Sequence, residues 1–468
     1  MPHPLVIIGG GMSGIAAAIR YARFGQPTLV LEQHSRPGGL NSYYYRHGRL
    51  FETGLHAMTN FAKPDQKRAP LNVLLRQLKL SRKKFIAYPQ FGSEIIFPDK
   101  TLRFSNDFSE LQAQISQVFP ESAEGFNRLA NFVKSYDPFK KSLWLSTRER
   151  LAEFIDNQNL IEMILCPLMF YGNSDESDMD FAQFVIMFQA IFFEGFFRPF
   201  GTIKDFLSKL LEHYASFGGE IRYQCRVDSL CFKGNKVVAV KTDTGEEIPC
   251  SSVISTIGLP GTSNLMGEKD DDHENYTGRL SFVESIYLVP RSAMATVKND
   301  STSIFFSTSN QFKYQRPSTA VDTSSGVINF PENFHGVPAN KYCQIRVTNM
   351  ANFDLWRDAD RPQQGCKERS EAYNELKKTF QQQSLTEVQR IVGSFEHAIE
   401  FEDTFTPLTI ERYTSKAAGA VYGSPIKIKD GRTAYDNLFV AGTDQGFLGI
   451  VGAMLSGVTI VNNHILAA

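Results

Sequence analysis

The 468-residue chain has only two tryptophans, against 38 phenylalanines and 17 tyrosines. It has no surplus of either charge: 49 Lys plus Arg face 50 Asp plus Glu, a formal net charge of −1. Nucleic-acid binders show a basic excess, so this balance argues against a nucleic-acid partner. The six cysteines stand singly, and none are spaced as CxxC or beside a histidine at zinc-ligand spacing. That excludes a disulfide framework and assigns the thiols to small core positions in a reducing compartment. No metal-ligand cluster is present. A bilayer-spanning helix needs about 20 mostly apolar residues. The best lookalike, residues 437–468, contains five glycines and the charge of Asp444, which suits a buried strand, loop and helix instead. No basic leader precedes the first apolar run at Leu5, so the expected location is the cytoplasm. Hydrophobic residues at 42% and charged residues at 21% exclude a mostly disordered chain. The length fits about three domains or two large ones.

The chemistry begins at the N-terminus. Leu5–Ile8 is an apolar run of strand length, followed by Gly9-Gly10-Gly11-Met12-Ser13-Gly14 and a small-residue helix. Thr28–Leu31 reads as a second buried strand, closed by Glu32. Strand, glycine turn, helix, strand and acid within about 30 residues form the dinucleotide fingerprint. Gly9 permits the turn, Gly11 lets the backbone approach a diphosphate, and Gly14 lets helix and strand pack closely. The helix N-terminus presents free N–H groups and a positive dipole end to phosphate. Glu32 suits a ribose diol and disfavours a 2′-phosphate. Gln33 follows it, and the Gly38-Gly39-Leu40 turn lets the backbone bend close to a bound dinucleotide.

The run GGGMSG…LEQHSRPGGL…FETGLHAM resembles the flavoprotein superfamily of phytoene desaturases, carotenoid isomerases, retinol saturases and amine oxidases. The resemblance implies FAD. It adds Thr53, Gly54, Leu55 and His56 to the cofactor set, and Val227 as a backbone contact to adenine. Thr256 closes another buried strand near the cofactor. Near the C-terminus, NLFVAGTD ends in Gly442, Thr443 and Asp444, and in the family that acid binds the ribityl or diphosphate region. The helix start at Gly449, Ile450, Val451, Gly452 and Ala453 would then face the flavin ring, where its dipole stabilises a reduced flavin. YTSKAAGAVYG, residues 413–423, resembles the family's flavin-side segment and places Tyr422 beside the ring.

The implied fold is α/β: a discontinuous Rossmann-like FAD-binding domain (parallel sheet) with an inserted α+β substrate domain. Residues 1–60, 200–262 and 410–468 form the first; 61–199 and 263–409 form the second. The segment 61–199 reads as helical. Phe181, Phe184, Phe188, Phe192 and Phe196 repeat on one helical stripe, thickened by Phe193, Phe197 and Phe200. That stripe fits a packed core, an apolar tunnel or a membrane-facing mouth. Residues 369–382 read as an exposed helix, and 268–274 and 301–325 as solvated loops.

The implied activity is desaturation of a long apolar polyene or isoprenoid by hydride transfer to flavin N5. Saturation, redox-neutral cis–trans isomerisation and amine oxidation are the alternatives. Such chemistry needs no dedicated side-chain base, and His56 and Tyr422 are the candidates for catalytic or substrate-orienting roles. The partners expected are a hydrophobic small molecule and, because such a substrate dissolves in lipid, peripheral contact with a membrane.

Overall fold

A computed structural model describes residues 3–140, 142–267, 276–298, 300–361 and 368–467. The 268–274 loop and Cys366 lie outside the described residues. The apolar run forms strand β1 (His3–Ile8), the glycine turn leads into helix α1 (Met12–Ala22), and β2 is Thr28–Leu31. β1 pairs in parallel with β2 on one side and with Glu247–Ser255 on the other. A strand enclosed on both edges and both faces needs apolar residues throughout, and Leu5, Val6 and Ile7 are fully buried. The sheet continues through β2 to Glu220–Arg222, and through Glu247–Ser255 to an antiparallel pair, Lys236–Thr242 and Val227–Lys233. Leu438–Val440 adds in parallel to the C-terminal half of Glu247–Ser255. Residues more than 400 positions apart in sequence thus end at one sheet edge, where open α/β sheets bind ligands.

Helix Gly449–Ile460 packs across α1. Gly457 comes so close that a Cβ there would lie 2.1 Å from the Ser13 carbonyl oxygen. Small residues at Ser13, Ala17 and Gly457 make this crossing sterically feasible.

A second seven-stranded sheet runs in the order Phe401–Phe405, Ser281–Pro290, Tyr342–Ala351, Val321–Asn329, Ser303–Ser307, Ser93–Phe97 and Lys100–Phe104. Two of its strands come from the segment 61–199, so the expectation of a purely helical segment is corrected. Ser93–Phe97 pairs in parallel with Ser303–Ser307, a long-range contact that local periodicity does not encode. The 301–325 stretch is corrected too. Ser303–Ser307 is a buried strand whose hydroxyls find protein partners: Ser303 Oγ donates to Asn329 Oδ1 in the neighbouring strand and Ser307 Oγ to Ser309 O, each at 2.7 Å. The exposed helix expected at 369–382 extends over Glu371–Val392, and its Tyr373, Phe380, Leu385, Val388 and Val392 are buried.

The phenylalanine stripe does not form one helix. An α-helix covers Phe181–Phe188, a π-turn covers Gln189–Phe193, and Phe197–Pro199 is a strand. Phe181, Phe184, Phe188, Phe192 and Phe196 all join one hydrophobic core, with ring centroids 5.5 Å apart for Phe181–Phe184 and 5.1 Å for Phe188–Phe192. They pack against each other and against Phe104 and Phe126. Phe196 and Phe197 are fully buried, so neither can face a membrane. Phe200 is half-exposed.

Candidate cofactor and active site

The turn after β1 is shaped for an anion. Gly9 has φ +102°, and a Cβ on Gly14 would lie 2.1 Å from the Gly9 carbonyl oxygen. A Cβ on Gly11, in contrast, would meet no protein atom within 4 Å. Gly11 caps α1 without a side-chain hydrogen bond, and the first turn holds no acidic residue. Ser13 Oγ is buried beside it with no partner among the described residues. Uncapped amides, an orphaned hydroxyl and a face left open at Gly11 fit a bound diphosphate. Met12 is buried in the core behind them.

Glu32, buried at the end of β2, accepts from Gly10 N at 2.7 Å and His34 N at 2.8 Å. Gly38 N donates to Gly10 O at 2.8 Å, which brings the second glycine turn onto the first. Thr53 Oγ1 donates to Leu40 O at 2.7 Å and accepts from Ser42 N at 2.9 Å. A Cβ on Gly54 would lie 2.6 Å from Leu40 O. The two segments bracketing the expected flavin position, Gly38–Leu40 and Thr53–His56, are therefore one unit. Thr256 Oγ1 donates to Ile8 O and Gly9 O at 3.0 and 3.2 Å, locking the strand ends. Val227, Leu55, Ile450 and Val451 bury their side chains in core clusters. Only their backbones remain for a cofactor.

Asp444 is buried. Its Oδ2 accepts from Leu259 N at 2.6 Å and its Oδ1 from Ser424 N at 2.9 Å. Gly442 N donates to Ser456 Oγ at 2.6 Å, which ties the strand end to helix Gly449–Ile460. That helix has no side-chain cap, and a Cβ on Gly449 would lie 3.3 Å from Thr59 Oγ1, three residues beyond His56. Gly452 and Ala453 lie in the first turns of this helix. Two amines flank Asp444. Lys416 Nζ donates to Thr443 Oγ1 at 2.8 Å, and Lys427 Nζ to Tyr422 O at 2.9 Å. Burial pulls the Lys427 ammonium down to about 8, with Asp444 opposing and Lys416 assisting.

His56 Nε2 lies 2.8 Å from Glu284 Oε2. Glu284 in turn pairs with Arg346, and Arg346 Nη2 also donates to Thr53 O at 2.7 Å. Burial pushes the Glu284 carboxyl up, but Arg346 and then His56 outweigh it and hold it below the ordinary carboxylate range. Arg346 Nη1 is buried with no partner among the described residues. Tyr422 donates its hydroxyl to Phe170 O and sets its ring edge-on to Phe282 at 5.9 Å. Burial pushes its phenol far above the ordinary range, so it stays neutral.

A family model for flavin-containing amine oxidoreductases matches residues 12–463. The chain belongs to that family. FAD is the family's cofactor, and it is the group that the open face at Gly11 fits. Among curated relatives, a lycopene-forming phytoene desaturase from Pseudescherichia vulneris is 25% identical over 56% of this chain and 57% of its own. A chloroplastic prolycopene isomerase from Daucus carota is 24% identical over 58% of this chain and 49% of its own. The chain thus spans about half the length of these relatives. An all-trans-retinol 13,14-reductase from Rattus norvegicus is 21% identical over 98% of this chain and 85% of its own. A solved oxidoreductase from Methanosarcina mazei shares the fold at TM-score 0.66 and 16% identity, covering 98% of this chain and all of its own.

Sequence reading missed Glu284, Arg346, Lys416 and Lys427. Glu284 carried a usable signal: it is the lone charge in the ten-residue strand SFVESIYLVP. A charge inside an apolar strand has to be paired. The sequence does not name the partner, because Arg346 is 62 residues away.

Proposed function

We propose that this flavoenzyme desaturates a long apolar polyene or isoprenoid of the carotenoid or retinoid kind. Bound FAD would supply the two-electron acceptor for the hydride, and the accompanying proton would pass to solvent. The observation that carries the reading is an aromatic wall beginning at the flavin-side segment. Tyr422 meets Phe282, Phe282 meets Phe170 at 6.1 Å, and Phe170 meets Phe312 at 5.6 Å. These rings belong to the same buried core as the phenylalanine stripe, and in this reading their Tyr422 end would flank an extended apolar chain and exclude water. The Tyr422 ring is held in it by the hydroxyl bond to Phe170 O. His56, whose Nε2 is engaged by Glu284 two residues along the strand from Phe282, would orient the substrate. The printed activities of the three relatives, on phytoene, prolycopene and retinol, support a polyene substrate.

The test is anaerobic titration of the holoprotein with polyenes and with alkylamines. Bleaching of the visible flavin band by a polyene, with a product two hydrogens poorer, is the expected result. Bleaching by amines alone would move the protein to amine oxidation. Conversion of a polyene only after prior flavin reduction would identify a saturase, and a changed double-bond geometry without net oxidation an isomerase. His56→Gln should slow bleaching at least about tenfold while the flavin spectrum is kept.

We also propose peripheral contact with a membrane, through a different surface from the phenylalanine stripe. Among the described residues no helix is long and apolar enough to cross a bilayer. Phe139, Leu143, Trp144 and Leu145 are exposed on one connecting segment, Leu143 at 87%. Phe139 stacks on Phe447, two residues before helix Gly449–Ile460, at 6.3 Å. An exposed patch of Phe, Leu and Trp suits the bilayer interface.

A further inference from the structure

The segment from Tyr413 to Gly419 crosses from one half of the FAD site to the other. At its first end the Tyr413 ring lies 5.9 Å from His34, and Gln33 Nε2 donates to Ser415 Oγ. Gln33 and His34 directly follow Glu32, the ribose acid. At its second end Lys416 Nζ donates to Thr443 Oγ1, beside Asp444. Next to Thr443, a Cβ on Gly442 would come 3.8 Å from Ser13 Cβ, in the first turn of α1. Lys416 lines one cleft together with Gly258, Gly423 and Asp444. The backbone of the crossing is strained: Ser415 and Ala418 are not glycines, yet both have φ +54°. Such conformations cost on the order of 1 kcal/mol or more and persist where the surroundings impose them. Hydrogen bonds hold them here, among them Ala418 N to Glu411 Oε1 at 3.2 Å.

The anion seat on α1 consists of amides, a hydroxyl and a helix dipole. Its first turn carries no cationic side chain, and the dipole amounts to only about half a charge. A dinucleotide diphosphate carries about two negative charges.

We propose that Lys416 is the counter-cation of the FAD diphosphate, carried over the α1 seat by the 413–419 crossing. The inference rests on FAD as cofactor with its ribose at Glu32. The amine's hydrogen-bond partner in the structure, Thr443, is neutral. Burial keeps the Lys416 ammonium below the ordinary lysine range, with Asp444 acting in the opposite sense, so a dianion in the cleft stabilises its charge further. A charge-assisted bond to phosphate is worth about tenfold or more in affinity. It weakens as salt screens it.

The experiment follows FAD release from diluted holoprotein by the recovery of flavin fluorescence, at low and high salt. Wild-type protein should release FAD faster as salt rises. Lys416→Met should release it at least about tenfold faster at low salt, with a flatter salt dependence, and Lys416→Arg should restore both. Release by Lys416→Met at the wild-type rate overturns the proposal. So does faster release with an unchanged salt dependence, or a failure of Arg to restore it, because either marks a packing role. If Lys416→Met does not fold, the wild-type and Lys416→Arg measurements decide: release indifferent to salt, or salt sensitivity lost in Lys416→Arg, overturns the proposal, and salt-sensitive release kept in Lys416→Arg upholds it. A purified protein that carries no FAD at all would defeat the cofactor assignment instead.

Discussion

A methyl group added at position 11 and one added at position 14 have opposite consequences. At Gly14 the added carbon meets the Gly9 carbonyl oxygen at 2.1 Å, and backbone cannot yield cheaply. Gly14→Ala should cost about 1–3 kcal/mol of stability, read as a lowered midpoint in chemical denaturation. At Gly11 the carbon meets no protein atom, so Gly11→Ala should leave the apoprotein's stability unchanged while FAD content falls. Equal effects at the two sites would refute the assignment of the Gly11 face to the cofactor. Arg346→Met leaves Glu284 buried without its main counter-charge and should destabilise by about 3–5 kcal/mol, part of it recovered in the double variant with Glu284→Gln. Lys427 carries a pH signature. Its folded pKa, about 8, lies below the ordinary 10.5, so the unfolded chain binds more protons between those values. Stability should therefore rise as pH goes from about 8 to about 10.5, and Lys427→Met should remove that part of the slope. Denaturation midpoints across this range check it.

At the scale of elements, period and burial pattern were legible wherever a segment answers to one neighbour. β1, α1 and β2 follow from their sequence because a buried parallel strand needs an unbroken apolar run and the turn needs glycine. The stripe from Phe181 to Phe200 was legible as apolar and helical in period. Its break was not, because the π-turn at Gln189–Phe193 and the strand Phe197–Pro199 answer to distant partners. Phe197 N and O pair with Met58, and the strand pairs with Ile86–Pro89. Phe188→Ala should cost about 3–5 kcal/mol, as expected for a fully buried ring. Phe139→Ser with Trp144→Ser should cost almost nothing in stability but lower flotation with liposomes. Flotation at the wild-type level would remove this segment as the membrane contact.

At the scale of the molecule, the cofactor and the seam between the two sheets share residues. Glu52 pairs with Arg198 in the interior and accepts from Ile203 N, and Thr53 O accepts from Arg346. Glycine turns, sheet ends and the second sheet are thus coupled around the FAD site. FAD at about a hundredfold excess over its Kd should stabilise the fold by about 2.7 kcal/mol. Thermal melting of holoprotein and FAD-stripped protein measures this, and equal midpoints would show that the site is decoupled from folding.

The sequence by itself determined the glycine turn, the acid that closes β2 and the strand–loop–helix carrying Asp444, because each is a local pattern whose residue types follow from backbone geometry. It also determined that the stretch Phe181–Phe200 is rich in apolar rings. Only the tertiary structure decided that the stripe rings face one another and that His56 is held by Glu284 and Arg346. It alone placed Lys416 on a segment spanning both halves of the FAD site. Those facts depend on which distant segments meet, and a charge or a ring does not record in its own neighbourhood which residue, tens or hundreds of positions away, will compensate it.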